Sequence, residues 1–172
     1  TKQQEAAQNE LNRRRTVLSG GSGKVLVAGG HVGGTNLNLA QLYDPAAGTW
    51  SDTGTLNTAR RLATLTAISS GQALLAGGAG SDPVFPSLKS TETYQASTGL
   101  WTNGASMATA RYAHTATLLE THGMLLVTGG NNNGTALASC ELYNTALGGW
   151  NPATSLVTAR FYHTAAPLTT DK

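Results

Sequence analysis

The sequence predicts an all-β fold assembled from a module of about fifty residues that occurs three times in succession. Each copy contains a short apolar run ending in a Gly-Gly pair, followed by a tyrosine, a tryptophan and an arginine. The tryptophan follows the tyrosine by seven positions in every copy, and the arginine follows the tryptophan by ten. Chance similarity between glycine-rich segments does not hold two spacings constant, so one structural unit is repeated along the chain. The aligned residues are Gly29, Gly30, Tyr43, Trp50 and Arg60, then Gly77, Gly78, Tyr94, Trp101 and Arg111, then Gly129, Gly130, Tyr143, Trp150 and Arg160.

Each module is expected to contain four strands, designated A to D in chain order. Strand B is a continuous apolar run bounded by glycines, which is typical of a strand buried on both faces. Strand A mixes threonine and alanine with leucine, as expected where sheets converge and space is short. The predicted B strands are 24–28, 73–76 and 124–128, and the predicted A strands are 64–68 and 115–119, with a degenerate strand A at 16–18.

Strands C and D are located by the aromatic pair. Strand C ends at the tyrosine and strand D begins near the tryptophan, with turn residues such as those from Asp44 to Gly48 between them. From the second glycine of the pair to the tryptophan there are twenty positions in the first and third copies but twenty-three in the second. Insertions collect in loops, so a surface loop separates strands B and C.

These features resemble the kelch repeats, which are units of about fifty residues that each fold into one four-stranded blade of a β-propeller. The resemblance covers residues 16–168. It rests on the apolar-Gly-Gly segment, on the Tyr-x6-Trp spacing, and on an Arg-x-x-His-Thr-Ala motif that begins at Arg111 and again at Arg160. The resemblance implies a kelch-type propeller with three four-stranded blades.

The first copy departs from this pattern, because Ala63 stands where His114 and His163 stand in the others. A sialidase-type propeller is the nearest alternative, since Gly48 to Trp50 matches the end of its Asp box. The aspartate and serine of that motif do not recur at the required positions, which disfavours this alternative.

The resemblance also predicts how the chain is divided. We expect a polar N-terminal segment (helix or linker) at 1–15, three repeats at about 16–61, 62–112 and 113–161, a surplus strand at 162–168 and a tail at 169–172. Propellers typically have four to eight blades, and an unclosed stack exposes apolar faces and strand edges. The chain is therefore expected to be a partial propeller. Either a second copy closes it, as a six-bladed homodimer in which the surplus strand completes the partner's first blade, or it is part of a longer chain.

The repeated glycines and aromatic residues are interpreted as framework. A Gly-Gly pair after strand B lets the chain turn sharply under the neighbouring blade. A phosphate-binding loop is the functional alternative, but it requires a helix after the glycines, and none is predicted. Tyrosine and tryptophan at fixed spacing are interpreted as apolar packing between blades rather than as a platform for ligands.

Composition narrows the possible partners. Only 12% of the 172 residues are charged, and the formal net charge of +2 is already present in residues 1–15, where four basic side chains face two acidic ones. A nucleic-acid surface needs clustered Lys and Arg, and the only cluster is at residues 13–15, so no nucleic-acid partner is expected. The longest apolar runs have about five residues, too few for a membrane span. Sparse lysine and glutamate favour an extracellular or cell-envelope location.

The predicted binding surface is the face from which the B–C loops and D–A junctions emerge. Its candidate partner-binding residues are Arg60, Arg111 and Arg160 at the D–A junctions, Phe85 in the second B–C loop, and Asn131, Asn132 and Asn133 in the third. The arginines suit bidentate binding of an acidic group, whereas the favoured interpretation is that each ties its D–A loop to backbone carbonyls. The two repeated histidines are likewise interpreted as framework rather than catalytic groups.

The predicted function is that of a non-catalytic interaction module for a protein or glycan, with no catalytic residue, metal or cofactor. One alternative is a carbohydrate-active or copper-radical enzyme, because galactose oxidase-like enzymes are kelch propellers. That chemistry needs a cysteine cross-linked to tyrosine, a second tyrosine and two histidines on one copper. Cys140, the single cysteine, lies inside a repeat position, and no departure from the repeat supplies the histidines. A structural segment of a larger surface protein is the remaining alternative.

Overall fold

The computed structural model describes residues 23–81 and 86–168. These residues form three large antiparallel sheets that follow one another along the chain, and each sheet is one blade. The strands are β1 (Val25–Ala28), β2 (His31–Val32), β3 (Thr35–Asn36), β4 (Ala40–Asp44), β5 (Thr49–Asp52), β6 (Thr64–Ser69), β7 (Gln72–Ala76), β8 (Thr91–Gln95), β9 (Leu100–Asn103), β10 (Thr115–Leu119), β11 (Met124–Thr128), β12 (Asn131–Asn132), β13 (Thr135–Ala136), β14 (Cys140–Asn144) and β15 (Gly149–Ala153).

The strand order within each blade follows the sequence. The first blade is β1-β4-β5, the second is β6-β7-β8-β9 and the third is β10-β11-β14-β15. The A strands β6 and β10 contact each other, which places the inner edges of the second and third blades side by side. The prediction of an all-β fold is confirmed, and the successive antiparallel sheets are those of a partial propeller.

The B–C loops contain structure that the sequence analysis missed. In the first and third blades the loop is a small hairpin, β2-β3 or β12-β13. Its two turn residues both have positive φ: 54° and 88° at Gly33 and Gly34, and 47° and 95° at Asn133 and Gly134. Both angles are positive in a type I′ turn, for which Gly-Gly and Asn-Gly are favoured sequences.

The core lies between the blades rather than within one of them. Leu56 from the first blade packs in one cluster with Tyr94 and Trp101 of the second, and Met107 from the second packs with Val127 of the third. Tyrosine and tryptophan stand directly opposite each other on strands C and D, with ring centroids 5.0–5.1 Å apart in all three blades. The second and third blades therefore each present an aromatic pair to the blade before it.

The outer segments of the predicted division are only partly covered. Residues 163–168 pair with no strand in the part of the chain that the structure describes, so the surplus strand stays a prediction. The segment 1–15, the degenerate strand A at 16–18 and the tail at 169–172 lie outside the described residues. Among the described residues, no helix has the length and apolar character needed to cross a membrane.

A candidate binding face formed by loops of three repeats

The boundary between the first and second blades is closed by Arg60, which is only 1% exposed. Its Nη1 donates to Gly77 O at 2.8 Å and to Ser90 O at 3.0 Å. Its Nη2 donates to Ser90 Oγ at 3.2 Å and to Glu92 Oε1 at 2.8 Å. Burial lowers the pKa of Arg60, and the carboxylate of Glu92 opposes that shift. The guanidinium thus ties the first D–A junction to strands B and C of the next blade.

The same contacts recur one blade further on. Arg111 is fully buried and donates to Gly129 O at 2.6 Å, Ser139 O at 2.9 Å, Ser139 Oγ at 3.1 Å and Glu141 Oε1 at 2.8 Å. The hypothesis that Arg60 and Arg111 bind a partner is therefore corrected. Both guanidinium groups are enclosed, and their bonds to backbone carbonyls are those of the framework interpretation.

The two glutamates accept further bonds, which the sequence analysis did not anticipate. Glu92 Oε2 accepts the backbone N–H of Asn57 at 2.7 Å, and Oε1 accepts that of Thr58 at 3.1 Å. Glu141 accepts the backbone N–H groups of Ala108 and Thr109 at 2.7 and 3.1 Å. Each carboxylate therefore binds one arginine and two backbone donors of the preceding blade. A Ser-x-Glu-x-Tyr segment in the second and third copies was the available signal.

Arg160 occupies the same repeat position but not the same environment. Its side chain is exposed, and Nε donates to Thr158 O at 3.3 Å within its own loop. Arg60 makes the corresponding local bond to Thr58 O at 3.2 Å. The Nη groups of Arg160 have no hydrogen-bond partner among residues 23–81 and 86–168. Of the three predicted arginines, only this one lies on an open surface.

The repeated histidines contact threonines of the A and B strands. His114 Nε2 lies 3.0 Å from Thr64 Oγ1, and His163 Nε2 lies 3.2 and 3.1 Å from the hydroxyls of Thr115 and Thr128. Burial, together with the nearby positive charges of Arg111 and His163, lowers the pKa of His114 to about 3. His114 is therefore neutral at pH 7.

The D–A junctions are linked to one another through their backbones. Leu62, Ala113 and Tyr162, each two positions after a repeat arginine, have φ values of 56°, 52° and 55°. The N–H of Ala113 donates to Leu62 O at 3.0 Å, and the N–H of Tyr162 donates to Ala113 O at 2.9 Å. Left-handed backbone at a non-glycine residue costs of order 1–3 kcal/mol and persists only where surrounding contacts hold it. The backbone hydrogen bonds between the junctions are such contacts, and they hold the junctions in a defined geometry.

The predicted asparagines mostly stabilise loops. Asn131 is 3% exposed, its backbone pairs with Tyr112, and its Oδ1 accepts the N–H of Gly134 at 2.7 Å. Asn133 is exposed, yet its Oδ1 accepts the N–H of Ser87 at 2.8 Å in the neighbouring B–C loop. Asn132 is half-buried. The partner-binding hypothesis is thereby corrected for Asn131, whereas Asn133 reaches the surface.

A cavity of about 620 Å³ opens on the face that carries the B–C loops and D–A junctions. The residues that line it come from all three repeats: Arg61, Leu62, Ala79, Pro86, Tyr112, Asn133, Gly134 and Tyr162. Four of them directly follow a repeat arginine by one or two positions. They were not predicted, because the candidates chosen at the D–A junctions were the arginines, which recur in every copy. The variable pairs after each arginine, Arg-Leu, Tyr-Ala and Phe-Tyr, were the available signal.

Two other residues were singled out in the sequence. Phe85 lies outside the described residues. Cys140 is buried at the start of β14, and its thiol lies 3.6 Å from Ala138 O. Within the ranges that the structure describes, no three or more His, Cys, Asp and Glu side chains come together as a metal site.

Comparison with known proteins gives one family. Residues 13–57 match the model of the Kelch motif. This match covers the first repeat up to strand D and its flanking residues. No curated protein matches the sequence.

Proposed function

We propose that this chain, whose residues 13–57 match the Kelch motif, is a non-catalytic interaction module that binds a protein partner at the cavity between its B–C loops and D–A junctions. The observation that carries the proposal is the composition of that cavity. The repeat arginines at the two enclosed boundaries, Arg60 and Arg111, are used for contacts between blades, whereas the residues after the arginines that line the cavity differ between copies.

The chemistry of the lining suits a protein surface. Tyr112 and Tyr162 supply aromatic area, and tyrosine and arginine are enriched among the residues that dominate protein interfaces. Tyr162 is 67% exposed and Leu62 is 40% exposed, so apolar surface is open to a partner. The rigid junction backbones lower the entropic cost of ordering these side chains on binding.

The open blade faces are a second surface, separate from the cavity, at which contacts with other blades are expected. Trp50 is 54% exposed and Val25 is 53% exposed on the first blade, whereas Trp101 is 7% exposed at its equivalent position. Exposed apolar faces of this kind mark interaction surfaces. In the working assembly they are covered by further blades.

The binding proposal is tested by site-specific photo-crosslinking in extracts of the native cells. A benzophenone amino acid replaces Tyr112 at the cavity, and in the matched control it replaces Ser97, which is exposed in the C–D turn at the opposite ends of the strands. We expect one protein adduct of defined mass from position 112 that is lost when Tyr162→Ala is added. Equal adducts from both positions would overturn the proposal. No protein adduct, together with glycan binding that Tyr162→Ala abolishes, would replace the protein partner with a glycan.

A further inference from the structure

We propose that the open face of the third blade is a docking surface for another kelch blade that carries glutamate and serine at the positions of Glu92 and Ser90. The first blade of a second copy is not that occupant. This inference concerns a different surface from the cavity, so it stands or falls separately from the proposed binding function.

The enclosed boundaries define what such a docking surface requires. At each one, an arginine of the preceding blade meets a serine hydroxyl and a glutamate carboxylate on the C strand of the next blade, at 3.2 and 2.8 Å for Arg60 and at 3.1 and 2.8 Å for Arg111. The carboxylate also accepts two backbone N–H groups of the preceding blade. Tryptophan on the next blade completes the contact, because Trp101 Nε1 donates to Gly54 O and Trp150 Nε1 to Ala105 O, each at 2.9 Å.

The third blade presents the donor half of this arrangement. The local bond from Arg160 Nε to Thr158 O matches that of Arg60, so the side chain starts out in the same direction. Val157 and Thr158 occupy the positions of Asn57 and Thr58, whose backbone N–H groups bind the glutamate in the enclosed boundary. Val157 is fully exposed. The third blade therefore carries, at the same repeat positions, the two backbone donors and the guanidinium that bind a glutamate at the first boundary.

The first blade does not present the acceptor half. Gln41 stands two positions before Tyr43, where Glu92 and Glu141 stand before their tyrosines, and Leu39 stands where the serines are. A carboxylate has two acceptor oxygens, whereas an amide has one oxygen and an NH2 group. With Gln41 in this position, the NH2 group would face a backbone N–H, and the arginine would be enclosed without a counter-charge. Burying an unpaired charge in this way is strongly unfavourable.

The two open faces of this chain are therefore not complementary to each other. A ring of two copies has two boundaries between the copies, and at each of them Arg160 would face Gln41 and Leu39. A blade of the Ser-x-Glu-x-Tyr type supplies the missing carboxylate and hydroxyl instead, as the second and third blades do for their own neighbours.

A titration between two full-length forms tests the inference. The acceptor form carries Leu39→Ser and Gln41→Glu to create the required chemistry on the first blade, and Arg160→Met to prevent its self-association. The reference form carries Arg160→Met alone. Each is titrated by calorimetry with the unmodified chain, and circular dichroism establishes that all forms are folded. A further form, Arg160→Met with Ser51→Glu, adds the same charge at an exposed position of the first blade outside the acceptor site.

We expect the unmodified chain to bind the acceptor form at least about tenfold more tightly than the reference form. We also expect the form with Ser51→Glu to bind the unmodified chain no more tightly than the reference form does. When the titrant is the Arg160→Met form, the acceptor form is expected to lose its higher affinity. Equal affinity for the folded acceptor and reference forms would overturn the inference. So would tight binding of the unmodified chain to the reference form, or a dimer of the unmodified chain that Arg160→Met dissociates, since a second copy would then be the occupant.

Discussion

The two enclosed blade boundaries and the two open faces are built from the same repeat positions but differ in what those positions contact. Arg60 and Arg111 are buried and paired with glutamates, while Arg160 is exposed. Trp101 is 7% exposed and donates to the preceding blade, while Trp50 is 54% exposed. The comparison teaches that the contribution of a repeat arginine or tryptophan to stability depends on whether a neighbouring blade encloses it. Substitutions at equivalent positions therefore provide matched tests.

The largest difference is expected between Arg111→Met and Arg160→Met. Removal of Arg111 leaves Glu141 buried without its cationic partner, and breaking such a pair costs about 3–5 kcal/mol. Removal of the exposed Arg160 is expected to change stability by less than about 0.5 kcal/mol. Urea denaturation followed by circular dichroism measures both. Comparable losses in the two variants would mean that the enclosed ion pair does not distinguish the boundary from the open face.

A smaller difference is expected between Trp101→Phe and Trp50→Phe. The first removes the indole N–H that binds Gly54 O inside the boundary and leaves that carbonyl without its partner, at a cost of about 1–3 kcal/mol. The second removes part of a half-exposed ring and is expected to cost less than about 0.5 kcal/mol. Thermal denaturation gives both values. The Trp150→Phe variant is an intermediate case, because Trp150 Nε1 also donates to the preceding blade, at Ala105 O, but in a more exposed environment, so its loss is expected to lie between the other two.

The fold was predictable because the constant spacings carry geometric information. Seven positions from tyrosine to tryptophan place the two residues opposite each other across a tight turn, and the structure pairs them directly in every blade. Short apolar runs before the glycines gave the B strands to within a residue or two. The two small hairpins were missed, although Gly33-Gly34 and Asn133-Gly134 are turn sequences for such hairpins.

The cavity was less predictable than the fold, because the repeat arginines are the most conspicuous charged residues at the D–A junctions but do not line it. Their glutamate partners lie about thirty positions away, at Glu92 and Glu141, and no local pattern shows that the pair is enclosed. The cavity is lined instead by the residues after the arginines, such as Arg61 and Tyr112. The exposure of Trp50 agrees with the expectation that a partial propeller leaves apolar faces open.

The smallest effect concerns pH and separates the enclosed His114 from His163 near the open face. The pKa of His114 in the folded chain is about 3, far below that of an unfolded histidine. Between these two values the unfolded chain binds the extra proton, so the free energy of unfolding falls as pH drops below about 6.5. We expect His114→Gln to remove a loss of about 1.4 kcal/mol between pH 7.5 and 5.5, measured as the difference in urea stability between the two pH values. Burial also lowers the pKa of His163, but this residue is less enclosed, so His163→Gln is expected to remove less of the loss. An unchanged pH dependence in folded His114→Gln would show that His114 does not govern acid sensitivity and that the enclosed and open positions do not differ in this respect.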